Sequence, residues 1–107
     1  MKTEILITGI RKGLKGLGES VWLQGTVSNY QFSAKVYNGP SKYGINGSCV
    51  SKLTVWSESE RQKLGDPVAA SIIHYDRAWC KNPDPEYNEL LESLVSYLSA
   101  LPFDNLK

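Results

Sequence analysis

A chain of 107 residues, 41% apolar and 21% charged, has material for one hydrophobic core and too little for two. That balance argues against disorder along its length, and no apolar run approaches the roughly 18 residues of a membrane span. The net charge of +1 leaves no strongly basic or acidic character overall.

Thr3 to Ile10 is rich in β-branched residues and predicts a first strand. Arg11 to Ser20 follows as a glycine-rich loop with three cations, and Val21 to Val27 as a second strand. Ser28-Asn29 is a turn signal. Tyr30 to Tyr37 then alternates strictly, with Phe32, Ala34 and Val36 on the face of Tyr30 and Gln31, Ser33, Lys35 and Tyr37 on the other. A two-residue period means one buried and one wet face, so Val21 to Tyr37 is expected to be an antiparallel hairpin. Asn38 to Ser48 is turn-rich, with a tight turn at Asn46-Gly47. Gly44 is expected to permit a positive φ where the chain bends back to the sheet. Cys49 to Trp56 is a fourth strand, Ser57 to Pro67 a polar exposed stretch, and Val68 to Tyr75 a fifth strand. Asp84 is expected to cap a helix over Pro85 to Leu101, with Pro85 in its first turn. Tyr87, Leu90, Leu91, Leu94, Leu98 and Leu101 repeat there at helical spacing.

The predicted fold class is therefore α+β. It is a single domain over residues 1–107, an antiparallel meander of four or five strands with one C-terminal helix on one face. Trp79 is expected to seal that helix against the sheet edge.

Met1 to Glu4 leads into an apolar stretch that Arg11 and Lys12 end too early for an export signal, so the cytoplasm is the expected compartment. Cys49 and Cys80 are expected to be free thiols there, a disulfide being the less favoured alternative. Their spacing suits no metal set, and no cofactor motif is present. Residues 1–52 carry seven basic groups against Glu4 and Glu19, a balance of +5; residues 53–107 balance at −4. Such a split can give a dipolar surface, unless folding interleaves the halves.

Three constellations could carry chemistry. His74, Asp76 and Cys80 contain a base, a carboxylate and a thiol, but triads rarely come from neighbouring residues; a half-exposed His, an Asp76–Arg77 pair and a buried Cys80 are the plainer expectation. The stretch from Gly9 to Gly18 follows a strand without matching a phosphate-loop pattern, although Arg11, Lys12 and Lys15 could hold an anion. Aromatic residues stand between the cations of the basic half, as they do where single-stranded nucleic acid binds, yet alternation turns Tyr30 and Phe32 inward and leaves Lys35 and Tyr37 outside.

The motifs Ser41-Lys42-Tyr43-Gly44-Ile45 and Tyr75-Asp76-Arg77-Ala78-Trp79, with Ala34 to Val36 and Val50 to Leu53, resemble a family of small uncharacterised bacteriophage and prophage proteins over roughly Gly25 to Leu98. Ala78 stands where such proteins often carry glycine, and Ser48 where they often carry a basic residue. The resemblance implies an origin and no activity.

The expected function is accordingly a non-catalytic binding module that acts on a host or phage protein by surface contact, for example as an inhibitor of a host defence system. Nucleic-acid binding through the basic half is the alternative. Arg11, Lys12, Lys15, Lys35, Tyr37, Lys42 and Tyr43 are the candidate contact residues. No membrane partner is expected, and the chain is expected to be a monomer or homodimer.

Overall fold

Alternating apolar and polar residues, broken by short turns, fold back on themselves strand by strand. The computed structural model describes residues 4–12, 20–40 and 42–101. Six antiparallel strands follow one another in meander order: β1 (Ile5–Lys12), β2 (Ser20–Val27), β3 (Tyr30–Tyr37), β4 (Val50–Trp56), β5 (Ser71–Asp76) and β6 (Trp79–Lys81). The expected four or five strands thus become six. The additional one is β6, which turns back along β5 through Arg77-Ala78. Three residues are too few to show a period. Arg11 and Lys12, expected in a loop, extend β1 instead.

The two-residue turn at Ser28-Asn29 sets Val27 opposite Tyr30, and that register runs unbroken to Ser20 opposite Tyr37. Each of the other four pairings carries one extra residue: Thr8, Ser51, Ile72 and Cys80 in turn. A bulge shifts every later side chain to the opposite face of its strand. At Ser51 the shift turns Val50 inward beside a serine that alternation with Leu53 and Val55 already buries, and the serine Oγ has no hydrogen-bond partner among the described residues.

The core lies on one face of the sheet, where Val21, Leu23, Val27, Phe32, Ala34, Val36, Leu53, Val55 and Ile73 are buried. Over them lies α2 (Asn88–Ala100), which buries Leu91, Leu94 and Leu98 at spacings of three and four. Each leucine so enclosed contributes about 1.5–3 kcal/mol of apolar transfer. The helix starts later than its sequence signals suggest. Pro85–Tyr87 forms a tight 3-10 turn, and Asp84 makes no side-chain cap; its carbonyl accepts from the Tyr87 N–H at 2.9 Å. Tyr87 is held by Tyr30, whose ring it meets edge-on at 6.0 Å. Leu101 is already extended, ψ 138°, as a residue before proline prefers.

The polar stretch after β4 forms two turns of helix, α1 (Glu58–Leu64), which buries nothing. It ends at Gly65 with φ 77°. Glu58 accepts hydrogen bonds from Arg61 and from Trp56 Nε1, which together hold its carboxyl below the usual range. Among the described residues no helix is long and apolar enough to cross a membrane.

Two expectations need correction, and one residue takes its place at the sheet edge. Gly44 has φ −71°, so no positive angle calls for glycine there; a Cβ would instead sit 1.7 Å from the Ser48 carbonyl oxygen. Trp79 stands in the edge strand β6 opposite Tyr75, on the face that α2 covers, 38% exposed and with its ring edge-on to Tyr75 at 5.0 Å. Cys80, expected to be buried, is exposed because it is the bulged residue of that short strand, while Cys49 is buried; both thiols are free.

Candidate functional site

Residues directly opposite one another in neighbouring strands share a face. On the face away from α2, the registers line up Arg11, Trp22, Lys35, Lys52 and Asp76, one from each of β1 to β5. At about 4.8 Å per strand the row spans about 19 Å. It lies at the end of the sheet where β1, β3 and β5 finish and β2 and β4 begin.

Arg11 reaches this face because of the Thr8 bulge. Leu6 pairs with Thr26 and Ile7 with Gly25, but after the extra residue Gly9 pairs with Gln24 and Arg11 with Trp22. In an unbroken ladder Arg11 would point to the helix side. The next rungs are set by the Ser28-Asn29 turn, which places Trp22 opposite Lys35, and by the Ser51 bulge, which precedes Lys52 opposite Lys35.

Lys35 and Lys52 therefore stand side by side, a like-charge pair that costs stability. Part of that cost is offset nearby. Lys52 Nζ lies 3.4 Å from Asp76 Oδ1 and 6.0 Å from the centre of the Trp22 ring. Lys35 Nζ lies 5.4 Å from the Tyr37 ring. Contacts of this kind at exposed sites contribute about 0.5–1 kcal/mol.

The loop between β3 and β4 is anchored from the helix side and meets the end of the row at Arg77. Tyr43 is tied to β5 because the Tyr75 hydroxyl donates to its carbonyl at 2.7 Å. Two cations sit over the Tyr43 ring, Lys42 at 5.0 Å and Arg77 at 5.7 Å. Arg77 also lies 3.9 Å from Asp76, and its N–H donates to the carbonyl of the bulged Ser51. It holds φ 61°, a left-handed conformation that costs a non-glycine residue roughly 1–2 kcal/mol.

Five cations, three aromatic rings and one carboxylate thus share one end of the molecule. Four of the five cations come from the basic half of the sequence, and Arg77 from the acidic half. The acidic residues of α1 lie at the far end of the sheet, and those of α2 on its other face. Of the residues singled out from sequence, Arg11, Lys35, Tyr37, Lys42 and Tyr43 come together here. Lys12 ends β1 opposite Val21. Lys15 and residues 13–19 of the glycine-rich loop lie outside the described residues. Sequence reasoning passed over Trp22, Lys52, Asp76 and Arg77 as contact residues. The two-residue turn is enough to bring Trp22 next to Lys35; Lys52 and Arg77 depend on bulges and a long loop that no local pattern announces.

His74 and Asp76 share the open face, and each has a separate partner: Thr54 Oγ1 lies 3.1 Å from His74 Nδ1, and Asp76 is held by Lys52 and Arg77. Cys80 Sγ lies 3.8 Å from the Ala78 carbonyl. Among the described residues no three His, Cys, Asp or Glu side chains gather as a metal set. A groove between Ile45–Gly47 and α2 has one carboxylate, Glu92, among hydroxyls, amides and apolar groups. It brings no reactive groups together.

A family model described as a domain of unknown function (DUF7678) matches residues 21–99. No curated protein matches the chain, and no solved structure does.

Proposed function

The chain belongs to this family of domains of unknown function, and we propose that it is a non-catalytic binding module that seats an acidic protein surface on its open sheet face. The single observation that carries this reading is the registration of Lys35 directly opposite Lys52. A fold selected only for stability has little use for two lysines directly opposite one another on neighbouring strands. A carboxylate set between them turns the repulsion into two charge-assisted contacts. Arg11 continues the positive strip on one side, and Lys42 and Arg77 on the other. A strip about 19 Å long matches a few acidic side chains on one partner element. The phage origin implied by the sequence resemblance makes a host or phage protein the partner, and inhibition of a host defence system one role such a contact would serve.

Single-stranded nucleic acid is the second reading, favoured by the aromatic rings that stand among the cations. Lys52 over Trp22, Lys35 over Tyr37, and Lys42 and Arg77 over Tyr43 occupy ring faces that bases would need. An acidic protein needs no such faces.

The test compares capture of a host-lysate protein by the wild-type chain and by the triple variant Lys35→Ala, Lys42→Ala and Tyr43→Ala, with a random single-stranded oligonucleotide measured in parallel. The expected result is an acidic protein retained at low salt, released as salt rises, and lost in the variant. Capture by the variant equal to that of the wild type, or none by either, refutes the reading. Salt-sensitive binding of the oligonucleotide alone replaces it with the second.

A further inference from the structure

The two edges of the sheet are built differently. β6 has three residues, carries Lys81, whose Nζ donates to the Ser71 carbonyl at 2.7 Å, and runs into Pro83 and Pro85. Short, charged edges followed by proline resist pairing with another strand. β1 has eight residues and no proline, and among the described residues no strand pairs with its outer side. Its Leu6 is 62% exposed and its Ile10 50%. We propose that β1 is the pairing edge of a symmetric dimer, occupied by β1 of a second copy running antiparallel.

Charge selects the direction. Glu4 precedes the strand and Arg11 lies near its end, both exposed. Antiparallel pairing brings Glu4 of each copy to Arg11 of the other, whereas parallel pairing aligns like charges. Face parity then selects the register. After the Thr8 bulge, Leu6, Gly9 and Arg11 belong to the open face, and Ile5, Ile7 and Ile10 to the helix side. Pairing Glu4 with Arg11, Ile5 with Ile10 and Leu6 with Gly9 matches faces at every pair outside the bulge. Leu6 then lies beside a glycine that has no side chain to oppose it, and Ile10 gains an apolar neighbour. Each contact occurs twice about the two-fold axis, so the assembly closes at two copies. This pairing is independent of the acidic partner, although Arg11 takes part in both surfaces.

Sedimentation velocity of the whole chain over a dilution series, with no partner present, tests the pairing. The wild-type chain is expected to pass from monomer to dimer as concentration rises. Glu4→Arg is expected to weaken the dimer about tenfold, and the swap Glu4→Arg with Arg11→Glu to restore it. Ile10→Lys is expected to leave a folded monomer. A wild-type chain that stays monomeric at every concentration overturns the proposal. So does a dimer indifferent to Ile10→Lys, or one that the charge swap fails to restore.

Discussion

Replacing Lys35 with glutamate should make the protein more stable while destroying its capacity to bind. Lys35 faces Lys52 across β3 and β4, and an opposite-charge pair in that position contributes about 0.2–1 kcal/mol, where a like pair costs a similar amount. Lys35→Gln removes the repulsion alone; Lys35→Glu removes it and adds an attraction. Both lose the contact of Lys35 with the Tyr37 ring, so the comparison between them isolates the charge. Lys52 is already shared with Asp76 at 3.4 Å, and its side chain is 32% exposed, so solvent screening keeps the gain small. The expected order of stability at low salt is glutamate above glutamine above lysine, with roughly 0.5–1 kcal/mol between the first and the last. Urea unfolding at constant m-value measures it, and the spread should shrink as salt shortens the screening length. Capture of the acidic partner should follow the reverse order. A Lys35→Glu protein no more stable than Lys35→Gln at low salt refutes the argument that this pair stores unfavourable energy.

Other expectations concern the frame. Gly44→Ala should cost about 1–3 kcal/mol in urea unfolding, because its Cβ would meet the Ser48 carbonyl oxygen at 1.7 Å. At Gly47, φ 77° with open space around it, asparagine should be tolerated, while at Gly44 asparagine should be worse than alanine. Ser51→Ala removes a buried hydroxyl that has no partner among the described residues and should raise stability by about 1 kcal/mol in the same assay. Hydrogen bonding to Tyr30 pushes the Tyr87 phenol up to about 12, with desolvation adding to it. The folded chain thus favours the protonated phenol, and this stability is complete below the ordinary value of 10 and lost as pH rises towards 12. Ultraviolet titration should show the late phenolate, and Tyr30→Phe should lower it towards the ordinary range, burial and the nearby carboxylates of Glu86 and Asp84 still holding it above. A thiol reagent should label Cys80 in the native protein and Cys49 only after unfolding.

The parts of the structure governed by local repetition were legible. The alternation from Tyr30 to Tyr37 and the leucine spacing of α2 each express one period over many residues, and both elements are where those periods put them. Features that depend on a single inserted residue were not. The bulge at Thr8 places Arg11 on the open face, and the one at Ser51 turns Val50 inward, against the alternation that groups it with Lys52 and Thr54. The β6 strand is shorter than two periods of alternation. Asp84, although well placed to cap, was overridden by tertiary contact: Tyr87 on Tyr30 starts the chain in a tighter turn. The contact residues were half legible for the same reason. Lys35 and Tyr37 follow from the alternation, as does the face of Lys52, whereas the pairing of Lys52 with Lys35 and the place of Arg77 rest on a long loop and a left-handed turn.

The meander lays its strands down in the order in which a ribosome makes them, and the segment that covers their apolar side emerges only after all six. Every hairpin can close on neighbours already present, but Leu91, Leu94 and Leu98 arrive only after β6. A nascent chain halted before α2 would carry a finished ribbon with one oily side bare, the kind of surface that chaperones hold and aggregates recruit. A premature stop between β6 and α2 should therefore do more harm than the loss of a single helix suggests.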